Sequence, residues 1–269
     1  MSAAHQLVVL IDPVARRIDG ESVRIAKDVL CAGAQAKICW PQGPEEFARA
    51  LARRGRRRTV VVGDDQALLR TVTLLHKERE LGRGELALVP VGGADSLRLA
   101  RSLGVPMGAV AAARAVLEGA GRRLDLLVDD CDEVVLGALR VPALGPVRAR
   151  GASPTVWGAA RSLVRTLVRA PAPVAAAVAH RLRVEADGVL LSDLDLPVAG
   201  VSVASADGLA QVAVRGCAGE EWVRASARAV TISGPVGGFR YRADGVVAGP
   251  VRTRTWTVRP GAWQLVLPG

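Results

Sequence analysis

Aromatic side chains make up 3% of this 269-residue chain, and lysine occurs only at Lys27, Lys37 and Lys77. With so few aromatics there is no aromatic-rich strand on which nucleic-acid bases would stack. A helix-turn-helix pattern and zinc-ligand spacing are missing as well, so nucleic acid is not an expected partner. Cys31, Cys39, Cys131 and Cys217 are scattered, and His5, His76 and His180 lie far from them in sequence. That spacing argues against a thiolate metal site or a redox pair and for reduced, structural thiols. Long hydrophobic runs are also lacking. The most apolar one, Ala170–Ala179, is too short to span a bilayer and holds two prolines, while Arg114 interrupts the Ala/Val-rich stretch around 105–117. Met1–Gln6 has neither a basic region nor a small-residue cleavage site and runs straight into an apolar strand, so a cytoplasmic location is expected. There is no Walker phosphate loop, no Gly-x-Gly-x-x-Gly dinucleotide spacing, no Gly-x-Ser-x-Gly elbow and no His-Glu-x-x-His motif.

What is present is a chain that is 50% hydrophobic and 23% charged, which excludes global disorder. Its net charge of +10 comes almost wholly from arginine and favours anionic partners, although an Ala-, Arg-, Gly- and Val-rich genome would give the same balance. The first half alternates strand and helix signals. Leu7–Ile11, Thr59–Val62 and Leu86–Val89 are apolar or β-branched runs stopped by Asp, Gly or Pro, and Ala34–Cys39 reads as a further strand ending before Pro41. Helical spacing runs through Ser22–Cys31, Glu45–Arg53, Ala67–His76, Ser96–Leu103 and Ala109–Glu118. Alternation of this kind implies right-handed βαβ crossovers and a doubly wound, mostly parallel sheet. From about Leu124 onward short strand-like runs predominate, Trp222–Ile232, Arg252–Val258 and Trp263–Leu267 among them, punctuated by turns such as Asp187-Gly188, Asp207-Gly208, Gly237-Gly238 and Asp244-Gly245. They predict a β-sandwich lobe, interrupted by one helix at Pro154–Arg169. The expected fold is therefore α/β, with an α/β lobe over residues 1–123 and a β-sandwich lobe over 124–269 whose final strand returns to the first.

Ligands of doubly wound sheets lie outside the carboxyl ends of the strands. That rule points to Asp12 and to two loops. In Val62-Gly63-Asp64-Asp65-Gln66 a strand gives way through glycine to a helix start, where unpaired N–H groups and the dipole suit an anion. Two carboxylates there would repel a bare phosphate but would hold one through Mg²⁺. The alternative is that Asp65 merely caps the helix and Asp64 is solvated. In Pro90-Val91-Gly92-Gly93-Ala94-Asp95-Ser96, adjacent glycines let backbone N–H groups approach a ligand, and Asp95 or Ser96 would contact ribose or phosphate; the alternative is an ordinary βα turn.

Together these segments resemble the diacylglycerol kinase catalytic family, a relative of the NAD and sphingosine kinases. Members carry Gly-Gly-Asp-Gly-Thr after the third strand and Pro-x-Gly-Thr-x-Asn-Asp after the fourth, where this chain has the two loops above. Ile11-Asp12-Pro13-Val14-Ala15 is similar to the family's Asn-Pro-x-Ser/Ala-Gly entry, Asp207-Gly208-Leu209 to its interior turn, and Tyr241-Arg242-Ala243-Asp244-Gly245 to the approach to Asp-Gly-Glu. Val258-Arg259-Pro260-Gly261-Ala262 and Val266-Leu267-Pro268 match its closing pattern, so the resemblance spans nearly the whole chain in order. It implies an ATP- and Mg²⁺-dependent lipid kinase with a cleft between two lobes. Gly63, Asp64, Asp65, Gln66, Gly92, Gly93, Asp95, Ser96 and Asp12 would lie on the nucleotide. Asp64 would serve the metal, and Asp244 would accept the proton of the acceptor hydroxyl.

The departures are pointed. Val62 and Asp65 replace glycines, Gln66 and Gly93 replace threonines, Asp95 and Asp12 replace asparagines, Ser96 replaces aspartate and Val246 replaces glutamate. Phosphoryl transfer depends on positioning and charge neutralisation, so these changes leave open a second function, a catalytically eroded relative that binds nucleotide or lipid as a regulatory module. Without the resemblance, Asp244-Gly245 is simply a hairpin turn. Two basic features complete the inventory. Arg53, Arg54, Arg56, Arg57 and Arg58 follow a helix end, where they suit a solvated C-terminal cap or an anionic surface. Arg161, Arg165 and Arg169 share one face of the helix predicted at 154–169. The expected partner is a lipid substrate at an anionic membrane surface, with a peripheral membrane position and a homo-oligomer both compatible with the sequence.

Overall fold

Short apolar runs cut off by Asp, Gly or Pro make strands that have no polar side to show, and such strands must be covered on both faces. The computed structural model describes residues 6–143, 179–217 and 223–269. It places β1 at Gln6–Ile11, β2 at Gln35–Cys39, β3 at Arg58–Gly63 and β4 at Glu85–Pro90. Between and after them come α1 (Pro13–Ile18), α2 (Gly20–Gly33), α3 (Pro44–Ala52), α4 (Asp65–Lys77), a 3₁₀ turn (Ala94–Leu97), α5 (Arg98–Ser102) and α6 (Ala109–Glu118). The strands pair in parallel in the order β2-β1-β3-β4. One face packs Leu7, Val9, Val60 and Val62 against Val23, Ala26 and Leu30 of α2 and Ala112, Ala113 and Val116 of α6. The other packs Val8, Leu10, Val61 and Leu88 against Phe47 and Leu51 of α3 and Leu68, Val72 and Leu75 of α4. The strand order reverses between β1 and β3, so a crevice opens at their carboxyl ends, where Asp12 and Asp64 lie.

The rest of the described chain is almost entirely β. In order come β5 (Ala120–Asp129), β6 (Val134–Val135), β7 (Ala138–Val141), β8 (His180–Arg181), β9 (Arg183–Ala186) and β10 (Val189–Ser192). They are followed by β11 (Pro197–Ala206), β12 (Leu209–Gly216), β13 (Val223–Ala227), β14 (Ala229–Ser233), β15 (Phe239–Ala243), β16 (Val246–Val251) and β17 (Thr253–Leu267). One antiparallel sheet runs β13-β12-β11-β7-β15-β16, with β8 on β11. The other, β10-β9-β14-β17, faces it across a core of Val184, Val230, Ile232 and Trp256 against Leu139, Val203, Val212 and Tyr241. The α/β lobe followed by an antiparallel sandwich lobe is the architecture the patterning predicts.

β17 departs from expectation. The sequence reads as two strands, Arg252–Val258 and Trp263–Leu267, because Pro260-Gly261 looks like a break. The structure keeps one strand and absorbs those residues in a register shift between Arg259 and Trp263 against β5. Gly261 takes a φ of +54° there, and its N–H donates to Asp125 Oδ1 at 2.9 Å. Asp125 Oδ2 accepts from Gly208 N of the β11–β12 turn at 2.7 Å, so one carboxylate ties bulge and turn together. β17 runs antiparallel to β14 and parallel to β4 (Gln264↔Glu85, Leu265↔Leu86), which makes the two lobes share a sheet. The helix predicted at 154–169, with its Arg161, Arg165 and Arg169 stripe, and Trp222 lie outside the described residues.

Candidate functional site

Each predicted loop leaves the carboxyl edge of the parallel sheet, and the backbone ladder already links them: Asp12 N donates to Val62 O and Val91 N to Gly63 O, both at 2.9 Å. Close packing then draws the side chains in. A β-carbon on Gly63 would sit 2.7 Å from Ala67 Cβ and 3.1 Å from Asp12 Cβ, so glycine is required for α4 to start against β1. A β-carbon on Gly92 would meet Ser96 Oγ at 2.7 Å and Asp64 Cβ at 3.4 Å, which sets the second loop directly beside the first.

The carboxylates divide the local work differently from expectation. Asp64, not Asp65, caps α4: its Oδ1 accepts from Gln66 N and Ala67 N, both at 3.1 Å. Asp65 turns inward, is buried, and reaches across to α5, where its oxygens accept from Leu99 N at 2.7 Å and Ala100 N at 2.9 Å. α5 has no capping side chain of its own, so Asp65 serves as its cap from a distant position in the sequence. Burial pushes the Asp65 carboxyl above the usual carboxylate range despite those N–H donors. Asp12 caps α1 through Val14 N at 2.7 Å and pairs with Arg70 of α4 at 2.8 Å, which neutralises the charge the sequence places near the crevice. The Arg70 guanidinium also lies 5.6 Å from the centre of the Phe47 ring.

The second loop is bound mainly to itself. Ser96 Oγ donates to Gly93 O at 2.9 Å, Asp95 pairs with Arg98 at 2.5 Å, and Gly93 is exposed.

The sandwich lobe contributes the β15–β16 hairpin. Asp244 and Gly245 take φ values of +46° and +85°, the two left-handed residues of a tight turn closed by Ala243↔Val246. The Asp244 carboxylate accepts from Leu136 N at 2.6 Å and Gly137 N at 2.8 Å, on the β6–β7 connection. Burial raises its carboxyl above the usual range; the N–H donors oppose this and the nearby Asp65 adds to it. The Gln66 amide donates to the Asp244 carbonyl at 3.3 Å, and a β-carbon on Gly137 would touch both Asp244 Oδ1 and Leu99 Cδ1. The hairpin of one lobe therefore meets the loops of the other. The crevice brings together Asp12, Gly63, Asp64, Asp65, Gln66, Gly92, Ser96 and Asp244. Sequence reasoning missed Arg70 and the Leu136–Gly137 N–H pair, because no local signal marks partners so far apart in the chain.

No family model and no curated protein matches the sequence. Solved structures do. A crystal structure of a "putative diacylglycerol kinase" from Bacillus anthracis str. Sterne aligns with a TM-score of 0.72 at 14% identity, covering 99% of this chain and 96% of that one. Two further structures with similar descriptions from the same organism align at TM-score 0.72 and 14–15% identity, over 99% of this chain and 98% of theirs. The chain has the diacylglycerol-kinase-like fold. The match runs end to end, so the N-terminal parallel sheet and the later antiparallel lobe are both parts of that one architecture. Among the described residues no helix is long and apolar enough to cross a membrane.

Proposed function

We propose that the protein is a lipid kinase, moving the γ-phosphoryl group of ATP to a lipid hydroxyl in the crevice between the two lobes. The observation that carries this reading is the meeting of the Asp244 hairpin with the Asp64–Gln66 turn, at the strand-order reversal where ligands of such sheets bind. Two N–H donors fix the Asp244 carboxylate, and a carboxyl raised by burial is a stronger base than an exposed one. Each oxygen retains lone pairs beyond those donors, so it can still accept a hydroxyl proton. As that proton moves to Asp244, the acceptor oxygen bonds to the γ-phosphorus and the bond to the leaving ADP oxygen breaks.

The donor set fits a magnesium ion held largely by phosphate oxygens and water. Both oxygens of Asp12, Asp65 and Asp244 are engaged, while Asp64 Oδ2 is unbonded among the described residues. Asp64 would supply the single protein carboxylate such a site commonly uses. Bound Mg²⁺ would add positive charge opposite the phosphates in a crevice otherwise rich in carboxylates.

Labelled ATP incubated with mixed lipid vesicles should give labelled lipid, and Asp244→Asn should slow transfer by about 10²–10⁴-fold, the usual contribution of a general base. Undiminished transfer by that variant would rule Asp244 out as base. One observation favours a regulatory nucleotide-binding module instead: Asp64 already takes the first N–H groups of α4, and Asp65 fills a position that resembles a family glycine. Mg²⁺-dependent ATP binding that is lost in Asp64→Ala, with no transfer by the wild type, would support that module.

A further inference from the structure

The sheet that carries the Asp244 hairpin has an unusual charge distribution. Its strands β7, β8, β11, β12, β13, β15 and β16 contain arginines at 140, 181, 215, 224, 240 and 242 and not one Asp or Glu. Outside this sheet several arginines, Arg24, Arg54, Arg58, Arg70, Arg98, Arg183 and Arg254 among them, face carboxylates. On this sheet the inward positions Leu139, Val203, Val212 and Tyr241 fill the sandwich core. Arg140, Arg224, Arg240 and Arg242 alternate with inward positions and are exposed, and none is ion-paired with a described residue. The pairing register lines several of them up in one row: Arg242↔Arg140, Arg140↔Ser202, Ser202↔Ala213, Ala213↔Arg224. Arg242 and Arg140 stand directly opposite each other, an arrangement that destabilises a sheet unless something anionic covers it. Between the arginines the row holds only small residues, Ser202 and Ala213, and apart from Arg242 Nε, which donates to Ala143 O at 2.9 Å, no side-chain hydrogen bond from Arg140, Arg224 or Arg242 to a described residue ties the row down.

From this we infer that the outer face of the sheet docks on an anionic phospholipid surface, with the arginine row against the headgroups. Charge complementarity selects the partner, and the absence of aromatics selects lipid over nucleic acid. Phe239 and Tyr241, the aromatics of these strands, point into the core, so among the described residues the face has no ring on which a base would stack. Docking also has a geometric consequence. Arg242 lies two residues before Asp244 on the same strand, and exposed Val247 flanks it across the hairpin. A headgroup layer lying along the row reaches the hairpin tip that closes the crevice. The inference deepens the lipid-kinase reading and rests on it only for the identity of the acceptor.

The test is sedimentation with vesicles of phosphatidylglycerol in phosphatidylcholine and with phosphatidylcholine alone, in the absence of nucleotide. An arginine near an anionic surface is worth about fivefold in partitioning, so Arg140→Thr with Arg224→Thr should lose about 30-fold. Neither side chain makes a described hydrogen bond, and threonine suits a strand. Arg53→Thr with Arg57→Thr, which removes two exposed charges outside this sheet, should leave binding near wild type. Equal losses in the two double variants would mean binding by net charge, and equal binding to phosphatidylcholine alone would mean no charge selection; either overturns the inference. So would single-stranded DNA that binds and is released by Arg140→Thr/Arg224→Thr while vesicles are not. Transfer to a detergent-dispersed lipid acceptor, measured separately, should be unchanged in Arg140→Thr/Arg224→Thr. Charge-selective docking without any such transfer by the wild type would sink the kinase and leave the docking face standing.

Discussion

Replacing Asp65 by glycine installs the residue the family resemblance predicts, and the structure says that the fold will object. The Asp65 carboxylate supplies acceptors to Leu99 N and Ala100 N at 2.7 and 2.9 Å, and α5 has no other side-chain cap. Leu99 and Ala100 are buried, so their N–H groups cannot turn to water instead. Leaving a buried donor unsatisfied costs about 1–3 kcal/mol, so two such donors put the gross loss at roughly 4 kcal/mol. Removing a half-desolvated carboxylate returns about 1 kcal/mol of this. The net loss of about 3 kcal/mol should lower the melting temperature by roughly 6–12 °C for a chain of this size. The pH dependence has a definite sign. A carboxyl raised in the folded state contributes stability fully present below its unfolded value of 3.8, which is lost as pH rises through the folded value. The gap between wild type and Asp65→Gly should therefore be widest in acid and narrow toward neutrality. Thermal melts monitored by circular dichroism across that range measure both effects. A variant that melts with the wild type at every pH would mean that Asp65 is not the cap of α5.

Three further expectations follow from the same crevice. Gly63→Ala places a methyl against Ala67 Cβ and Asp12 Cβ, and the strain of prising α4 from β1 should cost about 1–3 kcal/mol in urea unfolding. Arg70→Met leaves the Asp12 charge buried without its partner and should destabilise by about 3 kcal/mol, with Asp12→Asn added on top recovering part of the loss. If transfer is observed, its rate should climb with pH through an apparent value above the usual carboxylate range, because Asp244 must be ionised to accept a proton and burial resists that ionisation; a flat profile would exclude it as base.

The parts of the fold legible in the sequence are those where burial and punctuation agree. β1, β3 and β4 are apolar runs ended by Asp12, Gly63 and Pro90–Gly92, and the structure ends them there. The hairpins at Asp187-Gly188, Asp207-Gly208 and Asp244-Gly245 were equally readable, since each needs two consecutive left-handed residues and this pair supplies them. β17 was not readable as one strand, because local chemistry marks Pro260-Gly261 as a stop while Asp125, far away in sequence, converts it to a bulge. The site follows the same division. That Asp12, Asp64 and Asp244 gather follows from strand order and turn position. Which oxygen caps which helix does not: Asp64 and Asp65 are adjacent and identical in type, and only the arrival of α5 beside the start of α4 decides which of them turns inward.

The long last strand has a further consequence. Trp263 and Leu265 fill the core beneath α3 and α4, while Trp256 and Val258, on the same strand across its bulge, fill the core of the sandwich. A protein wired this way cannot lose one half and keep the other at rest, because unzipping either end of the ladder strips a tryptophan from its seat. Heat should therefore melt the two halves in a single cooperative transition, and opening of the crevice must come from twisting of a common sheet instead of swinging about a free joint.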